Sequence, residues 1–126
     1  MDTFTKFIIP GIAFLLTLVI GFWLSNAGKP YNGILFNIHK LIALGAAILT
    51  AVQLFTALKN TDIQVVPILL IVVAVVSVIA LFATGALMSM DKMSYQAMLT
   101  IHRVAPILAA VATVAAFFCL LNTVKQ

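Results

Sequence analysis

Charge is what this sequence has least of. Only 8% of its 126 residues are charged, while 64% are hydrophobic. A soluble domain carries about 25% charged residues, so this chain has too little polar surface to coat a water-soluble globule. The hydrocarbon of a bilayer is the solvent that suits it, and a single four-helix transmembrane domain over residues 1–126 is expected. Acid is scarcer still. The three acidic residues are Asp2, Asp62 and Asp91, all outside the apolar runs. No carboxylate lies at membrane depth, which argues against hydrolytic catalysis and removes the buried acid that proton relays usually include. Cys119 is the one cysteine and sits in an apolar run. A disulfide within one chain is therefore excluded, and a small buried packing residue is the expected role. The net charge of +4 is spread over helix ends and not clustered, so no nucleic-acid partner is read from it.

What is present is apolar length. Four stretches stand out, spanning roughly residues 6–26, 33–58, 63–90 and 97–123. A membrane-crossing helix needs about 20 residues, and all four qualify. The first apolar run, residues 7–24, exceeds the about 7–15 residues of a signal-peptide core, and a retained first helix is expected. Asn26-Ala27-Gly28-Lys29-Pro30-Tyr31-Asn32-Gly33 is turn chemistry between the first two helices. Lys59-Asn60-Thr61-Asp62 and Asp91-Lys92-Met93-Ser94 make the other two short connections. Short connections make sequential helices antiparallel, which gives an all-α, integral membrane, up-down four-helix bundle. Pro10 and Pro67 are expected in the first turns of their helices, where proline is tolerated. Pro106 lies deeper in the fourth, where it would kink the helix near His102.

The chain also repeats itself. Ile38-His39-Lys40-Leu41 matches Ile101-His102-Arg103-Val104 at an offset of 63 (102 − 39), half of 126. At the same offset Ala46-Ala47-Ile48 matches Ala109-Ala110-Val111, Thr50 matches Thr113, Phe55 matches Phe118 and Lys29 matches Lys92. The bundle is thus read as two pseudo-repeated helical hairpins, with helices two and four running parallel.

That topology gives the two histidines a meaning. His39 and His102 each lie near the start of a long apolar helix, at matched depth and on diagonal helices, so both can face the bundle axis. This arrangement suits a planar macrocycle held by its two axial positions. Space beside such a ring requires small side chains. Positions four, seven, eight and eleven after His39 are Ala43, Ala46, Ala47 and Thr50; after His102 they are Pro106, Ala109, Ala110 and Thr113. The opposite faces carry Leu41, Leu44, Ile48, Leu49, Ile107, Leu108 and Val111. Small stripes also promote plain helix packing, but close packing would leave two imidazoles with nothing to bind. Lys40 and Arg103, with Lys29 and Lys92 in the loops, would meet the anionic propionates of a haem; their ordinary role is snorkelling at helix ends. Imidazole is an established axial ligand of haem iron, and one haem b per chain, on His39 and His102, is the expected cofactor.

The His-Lys-Leu and His-Arg-Val starts of helices two and four resemble the haem-ligating helices of cytochrome b561-like and related small membrane cytochromes b. The resemblance covers the four-helix layout and these two motifs. It implies electron transfer between quinol, ascorbate or protein partners, with His39 and His102 as axial ligands. Such cytochromes often hold two haems on four histidines, whereas this chain has two histidines. One haem near one surface does not span ~30 Å of hydrocarbon. Electrons must then enter and leave on one side, or a partner subunit or second protomer must complete the path. Quinone is a natural partner inside a bilayer, and Tyr31, Asn37, Gln53 and Tyr95 are the polar candidates to receive it.

Three rival readings exist. Met88, Met90, Met93 and Met98, with His102 nearby, suit a Cu(I) carrier, although methionine is also a common apolar filler. A magnesium tetrapyrrole would make the chain a chlorophyll-binding accessory subunit. A structural subunit or small transporter would use the histidines for proton exchange. The expected location is a prokaryotic cytoplasmic membrane. The side bearing the histidines carries Lys29, Lys40, Lys92 and Arg103 against Lys6, Lys59 and Lys125 on the other. That leans the histidines toward the cytoplasm, and the lean reverses if Lys40 and Arg103 serve propionates.

Overall fold

The computed structural model describes residues 3–59, 62, 64–90 and 94–124. Asp2, Asn60, Thr61, Ile63, Asp91, Lys92, Met93 and Lys125 lie outside the described residues. The described residues form four α-helices and no strand: α1 (Thr3–Ala27), α2 (Gly33–Lys59), α3 (Val65–Met90) and α4 (Tyr95–Val124). All four are long and apolar enough to cross a membrane, as the sequence pattern predicts. Their exposed faces are apolar, as lipid contact requires. Phe22 is 71% exposed, Val65 72% and Phe118 66%; large apolar side chains exposed in such number fit contact with lipid.

The chain divides into two compact units, residues 1–56 and 57–126, with the boundary in the last turns of α2. The first unit holds the α1–α2 hairpin. α1 stops at Gly28, whose φ of +71° is the left-handed conformation that glycine adopts without a Cβ penalty. Its amide donates to the Leu24 carbonyl at 3.2 Å and closes the helix end. α2 starts on an Asn cap: the Asn32 side-chain oxygen accepts from the amides of Ile34 and Leu35 at 3.0 and 3.1 Å. Between these two stops the Tyr31 ring stacks on Phe36 at 5.7 Å, with the Lys29 ammonium 5.9 Å from the Tyr31 ring centre.

Pro10 is not in the first turn of α1. The helix begins at Thr3, so Pro10 falls inside it, buried, where it offers no N–H to the carbonyl one turn back. Pro67 does occupy the first turn of its helix and is fully buried.

The second unit holds the α3–α4 hairpin, and its two helices pack on one another. α3 buries Pro67, Ala74, Ser77, Thr84 and Met88. α4 buries Met98, Ala105, Ala109, Ala112, Ala116 and Leu120. The seam is therefore mostly small side chains, which let backbones approach where lipid offers no hydrophobic drive between helices. The hydroxyls in the seam return to their own helix. Ser77 donates to the Val73 carbonyl at 2.8 Å and Thr84 to the Ala80 carbonyl at 2.6 Å, as an apolar surround requires. α4 starts two residues before the expected 97 because the Ser94 carbonyl accepts the Met98 amide at 3.1 Å.

Candidate functional site

Each hairpin places one histidine in the same local setting. His39 lies in the second turn of α2 and its ring is set against α1. His102 lies in the second turn of α4 and its ring is set against α3. In both cases the facing residue is glycine. A Cβ on Gly21 would stand 2.8 Å from the His39 Cε1, and one on Gly85 would stand 3.3 Å from the His102 Cε1. Real Cβ atoms essentially never make the first of these contacts. Glycine at 21 is thus a steric requirement of the ring's position, and at 85 the fit is tight but adjustable.

The opening that glycine makes is used for a hydrogen bond. His39 Nδ1 lies 3.1 Å from the Thr17 carbonyl oxygen, one helical turn before Gly21. A carbonyl can only accept, so Nδ1 carries the proton and donates. His102 Nδ1 lies 2.9 Å from the Thr84 hydroxyl oxygen. That hydroxyl has one proton and two carbonyl neighbours, Ala80 at 2.6 Å and Leu81 at 3.2 Å. Neither carbonyl can donate, and the shortest contact takes the proton. The Thr84 oxygen therefore accepts from His102 Nδ1–H. Two different acceptors place a proton on Nδ1 of both rings; in a neutral ring that leaves the lone pair on Nε2. Metal-bound imidazoles are held in this way, one ring nitrogen donating to a protein acceptor while the other is the ligand.

The remaining residues read from the sequence fall as follows. On α2, Ala46 is buried, while Ala43, Ala47 and Thr50 are half-buried; on α4, Ala109 is buried, while Pro106, Ala110 and Thr113 are half-buried. The bulky positions Leu41, Leu44, Ile48, Leu49, Ile107, Leu108 and Val111 are all exposed. Each histidine-bearing helix thus has its small side chains covered and its large ones exposed. Pro106 has no N–H to offer the carbonyl of His102, one turn back. Lys40 is exposed with its ammonium 4.9 Å from the centre of the Phe36 ring, and Arg103 is exposed. Of the polar candidates for quinone, Asn37 is exposed and Tyr31, Gln53 and Tyr95 are half-buried. Met88 and Met98 belong to the buried seam of the second hairpin, and Met90 is exposed.

Thr17, Gly21, Thr84 and Gly85 were not singled out from the sequence. A faint signal exists: Gly21 and Gly85 are 64 residues apart (85 − 21), one residue off the 63-residue repeat of the histidines. A single-residue slip between helices one and three hides the match. No family model, curated protein or solved structure matches the chain.

Proposed function

We propose that the protein is a membrane b-type cytochrome that takes both axial ligands of one haem from its own histidines, His39 and His102, and passes electrons. The observation that carries this reading is the shared state of the two rings. Each is donated through Nδ1 to the preceding helix and so offers Nε2 as the basic nitrogen. One such ring is common in any helix pair; two in a chain with only two histidines is a matched ligand set. Ligand economy agrees. With two histidines, one cysteine and three aspartates outside the apolar runs, side chains alone make a poor cage for a bare metal ion. A tetrapyrrole brings four nitrogens of its own and needs only axial donors. When bound, haem supplies a one-electron redox centre; the chain's part is to orient two imidazoles and exclude water from them.

The test is a dithionite-reduced minus air-oxidised absorption spectrum of the purified protein. Sharp α and Soret bands of low-spin haem b are the expected result. A colourless protein would overturn the proposal, and the bands of a magnesium tetrapyrrole would redirect it to a pigment-binding role. The copper reading gains nothing from the methionines, since Met88 and Met98 sit where apolar filler is needed.

Lys40 and Arg103 follow the ligands directly in the chain. Positive charge near the iron favours the ferrous form, which carries one charge fewer. Replacing both cations by glutamine (Lys40→Gln with Arg103→Gln) is therefore expected to lower the reduction potential. Redox titration monitored at the α band checks the sign, and a rise would mean that these cations do not act on the haem. For partners, one haem per chain points to quinol in the bilayer, a further redox subunit or a second protomer as the other end of the electron path.

A further inference from the structure

The two histidines share a tautomer but not a means of keeping it. His39 donates to a main-chain carbonyl, Thr17 O, which stays in place whatever side chain residue 17 carries. His102 donates to the hydroxyl of Thr84, a residue 5% exposed in the seam of the second hairpin. We propose that Thr84 is a positioning residue for His102: its hydroxyl, with its proton committed to the Ala80 carbonyl, holds the ring as the Nδ1–H tautomer and presents Nε2 as an electron-pair donor. The orientation of Thr84 is itself secured twice, by the 2.6 Å bond to Ala80 and the 3.2 Å approach to Leu81. With both carbonyls on its own helix, the hydroxyl can only offer a lone pair across the seam. Gly85, the next residue, keeps the ring's Cε1 edge open.

The consequence is that one ligand alone is held by a side-chain acceptor, which can be replaced without touching the other hairpin. An acceptor on Nδ1–H draws the proton away from the ring and makes Nε2 the stronger donor. Without that acceptor His102 loses the bond that favours the proton on Nδ1, and the balance shifts toward the other tautomer. His39 is unaffected, because its acceptor is backbone in the other hairpin.

The experiment uses the full chain labelled with nitrogen-15 in histidine, without haem, in detergent and above the imidazole titration range. Nitrogen NMR distinguishes Nδ1–H from Nε2–H rings, and the His39→Gln variant assigns the two signals. Both rings are expected as Nδ1–H in the wild type. Thr84→Val, close in shape and lacking the acceptor, is expected to move the His102 signal toward the Nε2–H pattern. The His39 signal should stay in place and report that the fold is intact, and Thr84→Ser should restore the wild-type pattern. His102 as Nε2–H in the wild type, or unchanged in Thr84→Val, would overturn the assignment.

The second arm rests on the haem reading. With haem added, Thr84→Val should weaken retention about 10-fold and raise the reduction potential, since a weaker donor stabilises ferric iron less. An unchanged potential overturns the claim about donor strength. The two readings fail separately. Correct tautomers with no haem retained by the wild type would sink the cytochrome proposal and leave the role of Thr84 standing. Haem retained by a wild type with His102 as Nε2–H would do the reverse.

Discussion

Loss of either histidine is expected to abolish the low-spin haem spectrum. In His39→Ala and in His102→Ala one axial nitrogen is gone, and no other imidazole exists in the chain to replace it. Each ring also fills space against a glycine of the neighbouring helix, so alanine leaves a gap there. The gap is at the end of one side chain, and the apolar faces that hold the helices in lipid are untouched. Both variants should therefore still insert as helical membrane proteins. Absorbance of the reduced proteins, read beside circular dichroism, separates ligand loss from unfolding. A full low-spin spectrum from either single variant would show that the two histidines are not a pair.

The second large effect is expected at Gly21. In a helix interior Gly→Ala ordinarily gains about 0.5–1 kcal/mol. Here the added Cβ would meet the His39 ring at 2.8 Å. The ring is the end of a side chain and can move, so the helix should survive. What is lost is the 3.1 Å bond to the Thr17 carbonyl, and with it the fixed tautomer and direction of the ligand. Gly21→Ala is expected to keep its thermal stability and to retain haem about 10-fold less well, the lower end of what removing such an orienting partner costs. Gly85→Ala meets its ring at 3.3 Å and needs a shift of only a few tenths of an ångström. It is expected to retain most of its haem. The ratio of Soret to protein absorbance, followed by thermal unfolding of each variant, makes the comparison. Equal retention in both would show that the glycines do not gate the position of the rings.

These expectations come from two levels of description. The four spans were legible because crossing hydrocarbon demands length and apolarity, both one-dimensional properties. The stops were legible for the same reason: Gly28 and Asn32 act on backbone groups within a few residues of themselves. The two hairpins were visible as a repeat, and His39 and His102 stood out because an ionisable side chain in an apolar run is costly and rarely idle. Even the division of α2 and α4 into a covered face of small side chains and an exposed face of large ones follows from helical periodicity alone.

α1 begins at Thr3, earlier than the expected residue 6, and so Pro10 lies deeper in its helix than the hydropathy pattern suggests. The partners of the histidines were out of reach for a deeper reason. Which carbonyl lies opposite an imidazole depends on the register and separation of two packed helices, and neither is encoded by the pattern of either helix alone. Thr17 lies one turn before Gly21, and only the missing Cβ of Gly21 allows His39 to reach that carbonyl. Thr84 looked like one of several hydroxyls in a membrane helix until its proton was traced to Ala80 and its lone pair to His102. Composition and spacing therefore decided the solvent, the helices and the two candidate ligands, because those depend on each segment's own chemistry. Tertiary packing decided the hydrogen bonds and aim of the two imidazoles, because a hydrogen bond between helices exists only once two backbones meet at one particular register.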